Sequence, residues 1–202
     1  VDHRLRPAAA EEAREVARIC GRIGGPHTIL AGDVMTRGSL QDRARRLRYT
    51  LLGKWADTAG IGWIATAHHL DDQAETLLMR AVRGAGVGGL AGVRRRVAFA
   101  GIAAPVIRPL LDWRRDELAA VVRASGITPA DDPSNRDPAY DRTGVRALLA
   151  ATPMLRPVGL AAAAAHLADA EEAIAWTLER IVAERIIAEA GSVTVRDPAA
   201  LP

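Results

Sequence analysis

An α/β fold built on a parallel, three-layer sheet is predicted by two features of the sequence. Short apolar runs at residues 27–31 (HTILA) and 63–67 (WIATA) alternate with longer segments of helical periodicity, the rhythm of strand–helix–strand units. After about Met154 this rhythm gives way to helix alone, which sets a soft boundary near residue 155. In such sheets ligands bind beyond the C-terminal ends of the strands. The polar residues that follow the strands, Asp2-His3 and residues 68–72 (HHLDD), therefore carry extra weight.

The elements follow in order. Residues 1–6 read as the end of a strand. From Pro7, the residues Ala9, Ala13, Val16, Ala17 and Cys20 recur at helical spacing, and Gly24-Gly25-Pro26 stops that helix. Residues 27–31 are a buried strand. Residues 39–58 form a long helix, with Ser39 as N-cap and Asp42 in the first turn. Its apolar face is Leu40, Ala44, Leu47, Leu51 and Trp55, and Gly60 or Gly62 ends it. Residues 63–67 are a second buried strand. Residues 71–83 form a helix with acids in its first turn and Arg80 and Arg83 in its last, as the helix dipole prefers. A glycine-rich stretch, 84–92, comes next. Residues 105–109 hold a short strand, and Asp112 caps a helix over 113–125 that Gly126 stops. Residues 129–142 are a polar loop, 159–190 an Ala-rich helix, and 192–195 the start of a strand.

Composition narrows the function classes. The chain has 202 residues, of which 49% are hydrophobic, enough for a core and against disorder. That length suits one domain, or one domain and part of a second. No apolar run is long enough for a membrane span, and the opening residues, Val1-Asp2-His3-Arg4, lack the apolar region of a signal peptide. The single cysteine, Cys20, excludes an internal disulfide framework and a Cys-based zinc cluster. It sits on an apolar helix face as a core thiol, and it fits a reducing cytoplasm. Lys54 is the only lysine among 27 Lys and Arg, so 26 are arginine. A GC-rich genome accounts for most of that ratio, although arginine's planar fork also suits phosphate. The net charge of +3 is too small to argue for nucleic acid alone.

Three constellations stand out. In residues 65–76 (ATAHHLDDQAET) a strand runs directly into a helix with an acidic first turn. Asp72 and Glu75, three apart, share one helical face and suit an ammonium group or Mg2+. Helix capping accounts for one acid but not for the cluster. Adjacent His68 and His69 point in different directions and make a poor zinc pair. Residues 84–89 (GAGVGG) match G-x-G-x-x-G in form but follow a helix rather than a strand, so they read as a flexible loop and not as a dinucleotide site. Residues 131–142 make a long polar loop of the kind that often carries function, with a solvated linker as the plain alternative. Beyond it Arg142 and Arg146, four apart, suit a phosphate clamp or solvent. Arg45 and Arg48 share a face within the run Arg43, Arg45, Arg46 and Arg48, a run that ordinarily faces water.

Taken together, seven segments resemble the tRNA(Ile)-lysidine synthetase family of PP-loop ATP pyrophosphatases. They are residues 1–6 (VDHRLR), 43–49 (RARRLRY), 65–76, 83–86 (RGAG), 89–92 (GLAG), 108–111 (RPLL) and 132–135 (DPSN), in the family's order over about residues 1–150. The resemblance implies an adenine nucleotide alpha hydrolase-like sheet, here incomplete, over residues 1–155, followed by a helical segment over 156–202. It implies ATP and Mg2+ as cofactors, an isoleucine tRNA and free L-lysine as partners, no membrane, a cytoplasmic location, and room for a homodimer. ATP adenylates the C2 oxygen of the wobble cytidine, and the lysine ε-amine then displaces AMP. In those terms Asp72, Glu75 and Arg142 are the catalytic set. Asp72 and Glu75 hold lysine or metal, Asp71 and Asp72 are the metal candidates, and Asp2, His3, Arg46, His68 and Arg146 serve the nucleotide, with Tyr49 in support.

There are three departures from the family pattern. The phosphate loop, Ser-Gly-Gly-x-Asp-Ser, is absent from these residues. Gly144 stands where the middle arginine of Arg-Asn-Arg-hydrophobic-Arg is usual. The sequence also stops without a C-terminal tRNA-binding region. The expectation is that these 202 residues alone neither hydrolyse ATP nor form lysidine, and pyrophosphate release by them would refute it. The alternatives are another PP-loop tRNA-modifying enzyme such as a thiolase, a metal-dependent phosphoesterase using Asp2, His3, His68, His69, Asp71 and Asp72, and a non-catalytic RNA-binding paralogue. The lone cysteine disfavours the thiolase, and the scarcity of aromatics, 3%, disfavours the RNA-binding module.

Overall fold

The computed structural model describes residues 1–4, 7–34, 40–129, 141–189 and 192–196. The chain forms two compact units, the first from residues 1–69 and 95–136, the second from 70–94 and 137–202. The expected N-cap Ser39 and the polar loop at 131–140, including the DPSN segment, lie outside the described residues.

The first unit holds α1 (Pro7–Arg22), α2 (Leu40–Ala59), β1 (Ile64–Ala65), β2 (Arg96–Val97), β3 (Val106–Ile107) and α5 (Arg115–Ala124). The strand order is β1-β3-β2. β1 and β3 run parallel, with Ile64 opposite Val106. β2 runs antiparallel to β3, with Val97 opposite Val106. The sheet is therefore mixed rather than wholly parallel. The reason is the connection from Val97 to Val106, which is too short for a parallel crossover and makes a hairpin. A second parallel pairing joins Asp2 to Ala31. There the Asp2 N–H donates to the Leu30 carbonyl at 2.7 Å, and the Gly32 N–H donates to the Asp2 carbonyl at 3.1 Å. Helix α1 bridges these two segments, as a β-α-β unit requires.

The core of this unit is Tyr49, Ala56, Ile64, Ala104 and Val106, with Leu52, Ile61, Val97, Phe99 and Ile102 packed around it. It lies on a different face of α2 from the predicted one. Gly53 decides this face, because a Cβ there would sit 2.8 Å from Ile102 Cγ1, so the β2–β3 turn nests where α2 has no side chain. Gly60, at φ 67°, ends α2. The Ile61 N–H donates to the Ala56 carbonyl at 2.8 Å, the Schellman closure that a left-handed residue allows.

Three local expectations are corrected here. The runs at 27–31 and 63–67 are not buried strands, since Ile29 is 43% exposed and only Ile64 of β1 is buried. Cys20 is half-buried rather than in the core. Helix α5 is not capped by Asp112, whose carboxylate accepts a hydrogen bond from Arg95 at 2.8 Å. Glu117 Oε2 instead accepts the Arg114 N–H at 2.7 Å, tying down the first turn.

The second unit holds α3 (Leu70–Val82), α4 (Val87–Leu90), α6 (Asp141–Ala151), α7 (Pro157–Arg185), β4 (Ile186–Glu189) and β5 (Ser192–Val195). Helix α3 packs on α6 and α7, and α4 packs on α7. Helix α7 ends at Arg185 rather than near 190, because the β-branched pair Ile186-Ile187 continues as a strand opposite Val195 and Thr194. The glycine-rich stretch is not a loose loop. Arg80 Nη1 donates to the carbonyls of Gly89 at 2.7 Å and Gly92 at 3.0 Å. Gln73 closes a two-point bond with Val93, accepting its N–H at 2.6 Å and donating to its carbonyl at 2.8 Å.

All four tryptophans reach water: Trp55, Trp63, Trp113 and Trp176 are 38%, 51%, 46% and 59% exposed.

Candidate active site

Helix α3 begins immediately after the histidine pair and carries Asp71, Asp72 and Glu75 in its first two turns. Asp72 and Glu75 lie on one face, and that face is buried: Asp72 is 7% and Glu75 2% exposed. A carboxylate that dry needs partners, because desolvating an unpaired charge costs several kcal/mol. Helix α6 supplies them. Arg146 Nε donates to Glu75 Oε1 at 2.7 Å. Arg142 Nε lies 2.9 Å from Glu75 Oε2, and Arg142 Nη2 lies 3.8 Å from Asp72 Oδ1. An ion pair between Arg83 and Asp141 joins the C-terminal end of α3 to the start of α6.

The four charges cancel, two guanidiniums against two carboxylates. Arg146 hydrogen-bonds Glu75 Oε1, whereas Arg142 meets Oε2 as an ion pair without hydrogen-bond geometry. Among the described residues no three His, Cys, Asp or Glu side chains converge as a metal site. Mg2+ commonly takes only one or two protein carboxylates beside waters and substrate phosphates, and Asp71 and Asp72 would be the pair to supply them. No catalytic step is assigned to that ion. Gly144, where the family's middle arginine is usual, faces open space: a Cβ there would meet nothing within 4 Å.

The remaining candidates lie in the first unit. Asp2 Oδ1 accepts the Arg4 N–H at 2.8 Å. Both ring nitrogens of His3 are buried without a hydrogen-bond partner among the described residues. Burial, then the positive charges of Arg48 and the Val1 amino group, hold the His3 pKa below its ordinary value, while Asp2 pulls it up. His68 Nδ1 and the Thr66 hydroxyl are 3.0 Å apart. Arg46 lines a groove on α2 with Arg45, Tyr49 and Phe99. Sequence reasoning set Arg45 in a run that ordinarily faces water, and it missed Phe99. The i, i+4 spacing of Arg45 and Tyr49 was the available signal for the first; nothing local marked Phe99.

Residues 1–152 match the family model of the PP-loop domain. The chain belongs to the PP-loop family. Its PP-loop domain also has close curated relatives. A tRNA(Ile)-lysidine synthase of Zymomonas mobilis is 46% identical over 205 residues, covering 100% of this chain and 62% of the relative. One of Novosphingobium aromaticivorans is 46% identical over 182 residues, covering 90% of this chain and 56% of the relative. One of Ruegeria pomeroyi is 47% identical, covering 87% and 42%. The chain therefore spans between 42% and 62% of the length of these relatives. Among solved structures, a U34-tRNA thiolase from Methanococcus maripaludis matches with a TM-score of 0.60 at 15% identity, over 78% of this chain and 55% of that one. At that identity the match speaks to the α/β PP-loop fold alone. No helix among the described residues is long and apolar enough to cross a membrane.

Proposed function

We propose that this chain is the PP-loop portion of a tRNA(Ile)-lysidine synthetase. The observation that carries the reading is the quartet of buried Asp72 and Glu75 with half-buried Arg142 and Arg146 in a PP-loop chain 46% identical to a curated tRNA(Ile)-lysidine synthase. The reaction has two steps. The C2 oxygen of the wobble cytidine attacks the α-phosphorus of ATP, forming a C2–O–P link and expelling pyrophosphate. The neutral ε-amine of lysine then attacks C2, the C2–O bond breaks, AMP leaves, and the amine gives up a proton.

The quartet suits the second substrate. An amino acid presents an ammonium and a carboxylate, and an alternating set of two acids and two arginines offers a partner for each. In this reading Asp72 takes the lysine ammonium as Arg142 swings from it to an anionic group. Glu75 acts as a positioning residue that holds Arg142 and Arg146 in place. Guanidiniums so held need no reorganisation as charge develops. The ATP side draws on Asp2, His3 and His68, and the unsatisfied His3 ring offers hydrogen-bonding capacity for an adenosine. A PP-loop domain over residues 1–155 with the helical segment 156–202 beyond belongs to the same proposal, as do a cytoplasmic setting and a homodimer.

The test is a graft. The chain replaces the 205 aligned residues of the Zymomonas mobilis relative. The hybrid is incubated with ATP, lysine and an isoleucine tRNA transcript, and its nucleosides are read by mass spectrometry. Lysidine is expected, and it should be lost in the Asp72→Asn hybrid. A folded hybrid that leaves cytidine unmodified would overturn the reading.

A further inference from the structure

The β2–β3 turn and one face of α2 enclose a groove of about 470 Å3, within the roughly 300–1,000 Å3 range of small-molecule sites. It is built from the first unit alone. The α2 side follows one helical stripe, from Asp42 through Arg45 and Arg46 to Tyr49, and Phe99, Ala100 and Ile102 form the opposite wall. Tyr49 is only 4% exposed, and both faces of its ring are taken. Phe99 stacks on one, with ring centroids 4.5 Å apart, and the Arg45 guanidinium lies 5.1 Å from its centroid. Tyr49 is therefore not an open platform. It holds the Arg45 guanidinium over its ring on the groove wall, and a guanidinium so held suits a phosphate or stacking on a base. Arg46, exposed on the same stripe, has no charged partner among the described residues.

We propose that this groove binds one nucleotide of a single-stranded RNA, with its phosphodiester on Arg45 and Arg46 and its base against Phe99, Ala100 and Ile102. Charge selects the ligand. Two arginines against Asp42 leave the rim at a net +1. That matches the single negative charge of a phosphodiester and falls short of a free nucleoside triphosphate. The apolar wall suits a base face, which needs no sequence-specific hydrogen bonds. The proposal rests on the reading that the substrate is an RNA, but its test uses no ATP and no lysine, so its failure and that of lysidine formation are told apart.

The experiment titrates a fluorescein-labelled single-stranded RNA hexamer into the protein at several salt concentrations. It compares the unsubstituted protein with Arg46→Gln and with the Arg45→Gln/Arg46→Gln pair, each checked for folding by circular dichroism. The pair is expected to weaken binding roughly tenfold and to lower the salt slope by about 0.7, the share of one single-strand phosphate. Arg46→Gln alone should show part of both effects, which keeps the test valid if the pair is misfolded. A 4-thiouridine hexamer should cross-link to the tryptic peptide running from Val97 to Arg114. Absence of RNA binding, unchanged binding in a folded variant, or competition by free AMP at the hexamer's own affinity would overturn the proposal.

Discussion

Helices α2 and α3 both carry dense charge, and the structure treats them in opposite ways. On α3 the charged face turns inward. Glu75 is 2% exposed, and two guanidiniums of α6 grip it. On α2 the buried face is aromatic and small, Tyr49, Gly53 and Ala56, while Arg45, Arg46 and Arg48 stay in water. The difference teaches that a charged stripe has no fixed meaning by itself. What decides is whether the opposite element brings counter-charge, as α6 does, or an apolar turn, as the β2–β3 connection does.

Substitutions can break this contrast. The largest effect is expected from Glu75→Leu, which takes the shared carboxylate from two part-exposed guanidiniums; a loss of about 2 kcal/mol in urea unfolding followed by circular dichroism is expected. A loss below about 1 kcal/mol would mean that the quartet is not the anchor of its unit. On α2, Gly53→Ala should cost about 1–3 kcal/mol, since its methyl meets the branched atoms of Ile102 at 2.8 Å. A neutral result would show that the turn can lift away. Acid should act through His3. Its pKa is lowered in the folded chain from 6.5, so the unfolded chain takes up the proton first, and stability present above about pH 6.5 is lost as pH falls toward the folded value. His3→Gln should flatten that part of a Tm-against-pH curve. The smallest effect is expected from Arg46→Gln, within about 0.5 kcal/mol of unsubstituted stability. A larger loss would move α2 toward the character of α3.

Much of this was legible in the sequence. Helical periodicity located α1, α2, α3 and α7, because amphipathic spacing and glycine stops are local signals. The acids of α3 and the arginines of α6 were singled out individually. Their pairing was not visible, because Glu75 and Arg146 are far apart in the chain and charge carries no label for its partner. The strands read less well. Residues 27–31 and 63–67 are apolar enough to suggest burial, but burial depends on what covers them, and Ile29 remains 43% exposed. Asp112 looked like a cap because Asp often is one, and Arg95 claimed its carboxylate instead. The wall of the α2 groove was invisible for the same reason, since Phe99 gains its meaning only when the hairpin folds back.

The tryptophans have a practical consequence for spectroscopy. None of the four indoles is sequestered, so their emission should already sit near the wavelength of hydrated indole in the native protein and shift little on denaturation. Trp63 also lies beneath the Arg96 guanidinium, 5.0 Å from its centroid, and Trp176 beneath that of Arg180 at 4.9 Å. Dislodging either cation should therefore register as a change in intensity rather than in colour. Trp176 is the sole indole of the second unit. A Trp176→Phe form would make the remaining fluorescence an optical reporter of the first unit alone.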